Sequence, residues 1–138
     1  MSGNATVGRA LVVRMVLPLP LLSINARRVM HWRTQARHTR IQREAAGWYG
    51  KLATPELPAV NPSPYFTGRV RVDVEVRPYP AQQRPDDTAL WEAAKPWLDG
   101  FEDCGLVADD KQFVVGALTW DKTRRSGEIM FMLTEDAP

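Results

Sequence analysis

The chain has 138 residues, enough for one domain with its own core, and its 44% hydrophobic and 25% charged residues are typical of a globular protein. A single cysteine excludes an internal disulfide framework and, with only two histidines, disfavours a zinc site, so any metal is expected to have oxygen ligands. The net charge of +2 is unevenly distributed: residues 1–53 carry nine Lys/Arg and one acidic residue, giving +8, whereas residues 54–138 carry nine Lys/Arg and fifteen Asp/Glu, giving −6. This division indicates a basic surface for a polyanion and a separate acidic site, or two halves that neutralise each other across the fold.

The chain is expected to begin with a flexible tail at residues 1–9, which are small and polar, followed by a single domain over 10–138. The β-rich run 11–17 predicts a first strand that ends at Pro18. The surrounding apolar stretch is too short and too interrupted to span a bilayer, and it lacks the pattern of a signal peptide. We therefore expect a cytoplasmic protein with no membrane partner.

Residues 31–52 have the composition of a helix with a basic face. Its predicted buried positions are Trp32, Ala36, Ile41, Ala45, Trp48 and Leu52. Six arginines lie in or just before the helix: Arg27, Arg28, Arg33, Arg37, Arg40 and Arg43. Because Arg33, Arg37 and Arg40 recur at i, i+4 and i+7, they form one stripe that can follow a phosphate backbone. A solvated face that balances the acidic half is the alternative interpretation.

The second half predicts a strand, a helix and two further strands. Residues 69–77 alternate strictly between valine and charged or polar side chains, which is typical of a half-buried strand. A helix is expected after Asp86 or Asp87, with one apolar face and a kink at Pro96. That face comprises Leu90, Ala93, Ala94, Trp97, Leu98 and Phe101. Strands over 112–120 and 128–134 are close enough to form a hairpin. The order β-α-β-α-β-β predicts a mixed α/β (α+β) domain in which two helices cover a small mixed sheet.

Two acidic pairs, Asp86-Asp87 and Asp109-Asp110, lie on either side of the second helix, and Lys95 lies between them. Aspartates are favoured at helix caps and turns, which is the simplest interpretation of both pairs. However, clustered carboxylates repel each other unless a cation is present. A magnesium or manganese ion held by such carboxylates would polarise a phosphate and activate a water molecule.

The order of these residues resembles the RusA family of Holliday junction resolvases. The family's Arg-x-Asp-x-Asp-Asn-Leu motif corresponds to Arg84–Leu90, and its Gly-x-x-x-Asp-Asp-x-Gln motif corresponds to Gly105–Gln112. The triplet Leu98-Asp99-Gly100 fits the phage members, and Ser23-Ile24-Asn25 fits the family's Pro-rich opening loop. The resemblance extends from about Leu11 to Thr134. Three family positions differ: the second aspartate, its neighbouring asparagine and a lysine fall on Thr88, Ala89 and Glu92.

The resemblance implies a homodimeric, Mg²⁺-dependent (Mn²⁺ is the other candidate ion) endonuclease of phage type that nicks four-way junctions or other branched DNA. Asp86 and Asp110 would hold the metal with Asp109 and Asp87 beside them, and Lys95 would replace the missing lysine. The expected contacts to DNA are Asn25, Arg27, Arg28, Arg33, Arg37, Arg40 and Arg84. The alternative is a relative that binds junctions but has lost catalysis.

Overall fold

The computed structural model describes residues 7–16, 32–54, 64–80 and 82–136. The elements in chain order are β1 (Val7–Val16), α1 (Trp32–Ala53), β2 (Val70–Arg77), α2 (Asp87–Asp103), a short 3-10 helix (Asp110–Gln112), β3 (Phe113–Trp120) and β4 (Glu128–Asp136). This mixed α/β architecture confirms the predicted fold class and element order. Strand β1 begins at Val7, within the segment expected to be a tail. No helix in the described ranges is both long and apolar enough to cross a bilayer.

The four strands form one mixed sheet in the order β1-β4-β2-β3. Strand β4 pairs antiparallel with both β1 and β2, whereas β3 pairs parallel with β2. The hairpin predicted for β3 and β4 is therefore wrong, because β2 lies between them. The connection from β3 to β4 crosses the end of β2, where Asp121 N donates to Val76 O at 2.9 Å and Arg125 Nη1 donates to Tyr79 O at 2.9 Å.

One face of the sheet carries the core and the two helices cover it. The four valines of β2 that were predicted to face inward are buried, as are Ile129, Phe131 and Leu133 of the central strand β4. Phe131 receives edge-on contacts from Trp97 and Phe101 of α2, with ring centroids 5.7 and 5.2 Å away. The predicted inner face of α2 is thus confirmed, with Leu98 only half-buried. Pro96 lies within α2 and is buried.

The predicted inner face of α1 is wrong. Trp32, Ile41, Trp48 and Leu52 are all exposed, and the buried positions are Gln42, Ala46 and Gly50. The reason is a close crossing of α1 over α2, which only small side chains permit: a β-carbon at Gly100 would collide with the carbonyl oxygen of Arg43. Backbone approach, and not the largest apolar side chains, therefore determines which face of α1 packs inward.

Candidate functional site

An acidic cluster lies beside the C-terminal half of α2. Asp99, Glu102 and Asp110 each offer a carboxylate oxygen, and these oxygens lie within 4.8 Å of one another. The ammonium of Lys95 donates to Asp99 Oδ1 at 2.9 Å and to Asp110 Oδ2 at 3.2 Å. Because Lys95, Asp99 and Glu102 follow at i, i+4 and i+7, α2 presents all three on one side. We call these four residues the acidic cluster.

Asp110 is held in this position by the short 3-10 helix. Asp109 caps that helix, since its Oδ1 accepts from Lys111 N at 2.9 Å. Gln112 closes the capping box: its Oε1 accepts from the backbone N–H groups of Ala108 and Asp109. Its Nε2 donates in the opposite direction, to the carbonyls of residues 66 and 68 at 3.0 and 2.9 Å. The Asp-Asp-x-Gln sequence therefore fastens Asp110 to the segment that leads into β2.

The pKa shifts within the acidic cluster favour the charged forms of both Lys95 and Asp110. The hydrogen bond from Lys95 is the main cause that lowers the pKa of Asp110 below its usual range. The pKa of Lys95 is raised, chiefly by its hydrogen bond to Asp99 and further by the one to Asp110, although partial burial opposes the shift. At neutral pH the ammonium is thus protonated and the Asp110 carboxylate is ionised.

The first acidic pair lies elsewhere. Asp86 is the N-cap of α2, with its Oδ1 accepting from Ala89 N at 2.8 Å, and Asp87 Oδ1 accepts from Arg84 Nη2 at 2.7 Å. Asp86 precedes Asp99 by thirteen residues, which is about 20 Å along a helix at 1.5 Å per residue. The structure therefore brings Asp110 together with Asp99 and Glu102, not with Asp86 and Asp87. Joint metal binding by Asp86 and Asp110 stays a prediction, and for Asp86 and Asp109 the capping interpretation is the one the contacts show.

Sequence reasoning missed Asp99 and Glu102. Their signal in the sequence is their position on the same helical side as Lys95, at i+4 and i+7. Three carboxylate oxygens at this separation are a donor set that suits a hard divalent cation such as Mg²⁺ or Mn²⁺. The Lys95 ammonium already neutralises part of their charge, so a cation would have to displace or share these contacts.

The described residues also form two basic surfaces, one on α1 and one at the N-terminal end of α2. On α1, the predicted stripe of Arg33, Arg37 and Arg40 is exposed, whereas Arg43 forms a salt bridge with Asp103, with its Nη2 2.7 Å from Asp103 Oδ1. The Asp103 contact accounts for the raised pKa of Arg43. The other predicted DNA contacts of this region, Asn25, Arg27 and Arg28, lie outside the described residues.

The second basic surface is a cleft of about 410 Å³ at the N-terminal end of α2. Its lining is Gln82, Gln83, Arg84, Trp120, Lys122 and Arg125. Of these only Arg84 was predicted. Three cationic side chains line the cleft, of which Arg84 is paired with Asp87, and this excess of positive charge favours an anionic ligand. Trp120 is half-buried against the core and also lines this cleft.

No family model matches the chain. It is 26% identical, over an alignment of 141 residues, to a protein of Xylella fastidiosa (strain Temecula1) described as an uncharacterized protein. The alignment covers 97% of this chain and 84% of that relative.

Proposed function

We propose that the protein is a metal-dependent endonuclease that cleaves branched DNA, most simply a four-way junction, in recombination and repair. The observation that carries the proposal is the acidic cluster, in which three carboxylates converge beside a lysine. The exposed arginines of α1 and the basic cleft supply surfaces for a polyanion, and the second RusA-like motif, Gly105–Gln112, contributes Asp110 to the cluster. Two matched nicks require two active sites, which suits a homodimer acting in the cytoplasm, or in the host cytoplasm for a phage-encoded protein.

Each residue of the acidic cluster has its own role in the proposed reaction. Asp99, Glu102 and Asp110 would hold Mg²⁺ or Mn²⁺, which when bound supplies polarisation of the phosphate and activation of a water molecule. Lys95 offers a positive charge to the phosphate oxygens as negative charge develops there. Asp109 and Gln112 position Asp110 through the backbone, and Asp86 fixes the start of α2.

A labelled four-way junction incubated with Mg²⁺ tests the proposal. Asp110→Asn and Asp99→Asn are each expected to lower the nicking rate by about a hundredfold or more, because the loss of one charged ligand weakens metal binding and activation. Asp136→Asn, a carboxylate at the end of β4, serves as the matched control and is expected to leave the rate unchanged. Nicking that survives both cluster variants would place the active site elsewhere, and no nicking by the wild type with Mg²⁺ or Mn²⁺ would exclude the enzyme.

A junction-binding protein without cleavage is the second candidate. The observation that favours it is the pair of hydrogen bonds from Lys95 to Asp99 and Asp110, because an ammonium among the carboxylates can stabilise them without a metal. This candidate predicts tight junction binding that is the same in EDTA and in Mg²⁺, with intact strands after long incubation. The endonuclease proposal predicts nicked strands in Mg²⁺.

A further inference from the structure

The face of α1 that points away from the core carries an apolar stripe, which we call the α1 stripe: Ile41, Ala45, Trp48 and Leu52. Ile41, Trp48 and Leu52 are 48%, 69% and 73% exposed. Three large apolar side chains on one helical face form a continuous patch of the kind that marks an interaction surface. The stripe has the periodicity that predicted burial, yet the described part of the chain leaves it open.

The spacing within the α1 stripe is symmetric. Its members follow at intervals of four, three and four residues, so the pattern reads the same in both directions along the helix. In an antiparallel pair centred between Ala45 and Trp48, Ile41 lies against Leu52 of the second copy and Ala45 lies against Trp48 of the second copy. The largest side chain of the stripe thus meets the smallest, as interdigitated helix packing requires.

The charges beside the α1 stripe are self-complementary. Glu44, the one acidic residue among the first 53, and Lys51 lie on the same flank of the stripe, two helical turns apart. The antiparallel pairing brings Glu44 of one copy to within about 3 Å, along the helix axis, of the level of Lys51 in the other, an offset these long side chains span. Two such ion pairs form, one on each side of the two-fold axis.

The surface next to the α1 stripe also has room for a second copy. An open cleft of about 270 Å³ lies beside Gly47 and Trp48, with Glu44 and Lys51 in its lining. This cleft lies on the flank of the stripe that faces α2, since Asp103 and Cys104 also line it. Lys51 Nζ lies 5.9 Å from the centroid of the Trp48 ring, so the charged flank and the stripe are in contact.

We propose that the α1 stripe is the homodimer surface of this protein, with the two α1 helices antiparallel and joined by reciprocal Glu44–Lys51 ion pairs. The proposal extends the proposed function by naming the surface of the dimer that paired nicking needs. Its test measures molecular mass and not cleavage, so failure of the dimer surface and failure of the nuclease are distinguishable.

Sedimentation equilibrium over a range of protein concentrations tests the apolar part. The wild type is expected to be a dimer, and Trp48→Asp is expected to raise the dimer dissociation constant by about thirtyfold or more, as for a buried aromatic interface residue. Val16→Asp is the control, since Val16 is 64% exposed on β1 and lies outside the stripe. Circular dichroism verifies that each variant is folded.

The charge pairs allow a sharper test. Glu44→Lys alone and Lys51→Glu alone each place like charges opposite one another twice, and each is expected to weaken the homodimer by about tenfold. The double variant Glu44→Lys/Lys51→Glu restores both pairs. An equimolar mixture of the two single variants is expected to form a heterodimer, because its two contacts are Lys with Glu.

Three results would overturn the proposal. One is a monomeric wild type. If the Tm of that monomer also falls with Trp48→Asp, other residues of the same chain cover the α1 stripe. Another is a dimer dissociated by Val16→Asp and not by Trp48→Asp. The third is failure of the single-variant mixture to associate better than either variant alone.

Discussion

At the scale of single residues, the acidic cluster is a balance between three carboxylates and one ammonium. The hydrogen bonds from Lys95 keep Asp99 and Asp110 close together without a metal, and they lower the pKa of Asp110. Residues at caps and turns could be predicted from the sequence, because capping depends only on neighbours within four positions: Asp86 and Asp109 both cap. The proximity of Asp110 to Asp99 could not be predicted from the sequence, because it depends on how the segment after α2 folds back onto that helix.

Replacement of Lys95 by methionine is expected to change the response to Mg²⁺. Without the ammonium, three carboxylates repel one another, and Tm in EDTA is expected to fall by a few degrees, roughly 1 kcal/mol for an exposed cluster. Added Mg²⁺ should then raise Tm of Lys95→Met more than it raises Tm of the wild type, while junction nicking is lost. Differential scanning calorimetry in EDTA and in Mg²⁺ measures the two changes in Tm. Lys111→Met is the control, since Lys111 acts on Asp110 through its charge and has no hydrogen bond to it among the described contacts.

The stability difference between the wild type and Lys95→Met is expected to depend on pH. Because the folded pKa of Asp110 is lowered, its contribution to stability is complete above the unfolded aspartate value of about 3.9 and is lost as the pH falls through the lower folded value. The raised pKa of Lys95 gives a contribution that is complete below about 10.4 and is lost at higher pH. The difference in Tm between wild type and Lys95→Met should therefore be constant near neutrality and narrow at both extremes. A difference that instead grows on acidification would contradict the assigned contact.

At the scale of elements, the crossing of α1 and α2 decides which face of α1 is buried. Periodicity predicted α1 as a helix, and it predicted the inner face of α2 correctly, because that face is simply the apolar one. For α1 the apolar face and the buried face differ: Gln42, Ala46 and Gly50 pack inward. Only the partner helix reveals this, since Gly100 of α2 allows the α1 backbone to approach.

Gly100→Ala is expected to destabilise the protein by about 1–3 kcal/mol. Alanine has the better helix propensity, but its β-carbon would collide with the Arg43 carbonyl, and a backbone atom cannot move aside cheaply. Gly47→Ala is the matched control on α1: its nearest neighbour would be the Gly100 carbonyl oxygen at 3.6 Å, an ordinary contact. This control should stabilise by up to about 1 kcal/mol. Urea unfolding of both variants measures the difference, and equal effects of the same sign would contradict the close crossing.

At the scale of the whole molecule, the division of charge along the sequence remains visible in the fold. The arginine stripe belongs to α1, and the acidic cluster belongs to α2 and the 3-10 helix that follows it. The salt bridge between Arg43 and Asp103 joins α1 to α2 beside these two groups. Arg14 and Glu128 form a second salt bridge between the two halves of the sequence. The interpretation that the halves simply cancel therefore accounts for Arg14 and Arg43 but not for the exposed Arg37 and Arg40. For those two, binding of a polyanion stays a prediction.

The salt dependence of junction binding measures what these exposed arginines contribute. Arg37→Gln/Arg40→Gln is expected to reduce the slope of log K against log salt concentration by about 2, because each phosphate contact on duplex DNA contributes about 0.9. Arg14→Gln/Arg71→Gln removes the same formal charge, but Arg14 and Arg71 are already paired with Glu128 and Asp73 on the other face of the sheet. That control should leave the slope nearly unchanged. Equal changes in the two slopes would mean that net charge, and not the exposed Arg37 and Arg40 of α1, attracts the DNA. Because the slope reports phosphate contacts whether or not strands are cut, it tests the basic surface independently of catalysis at the acidic cluster.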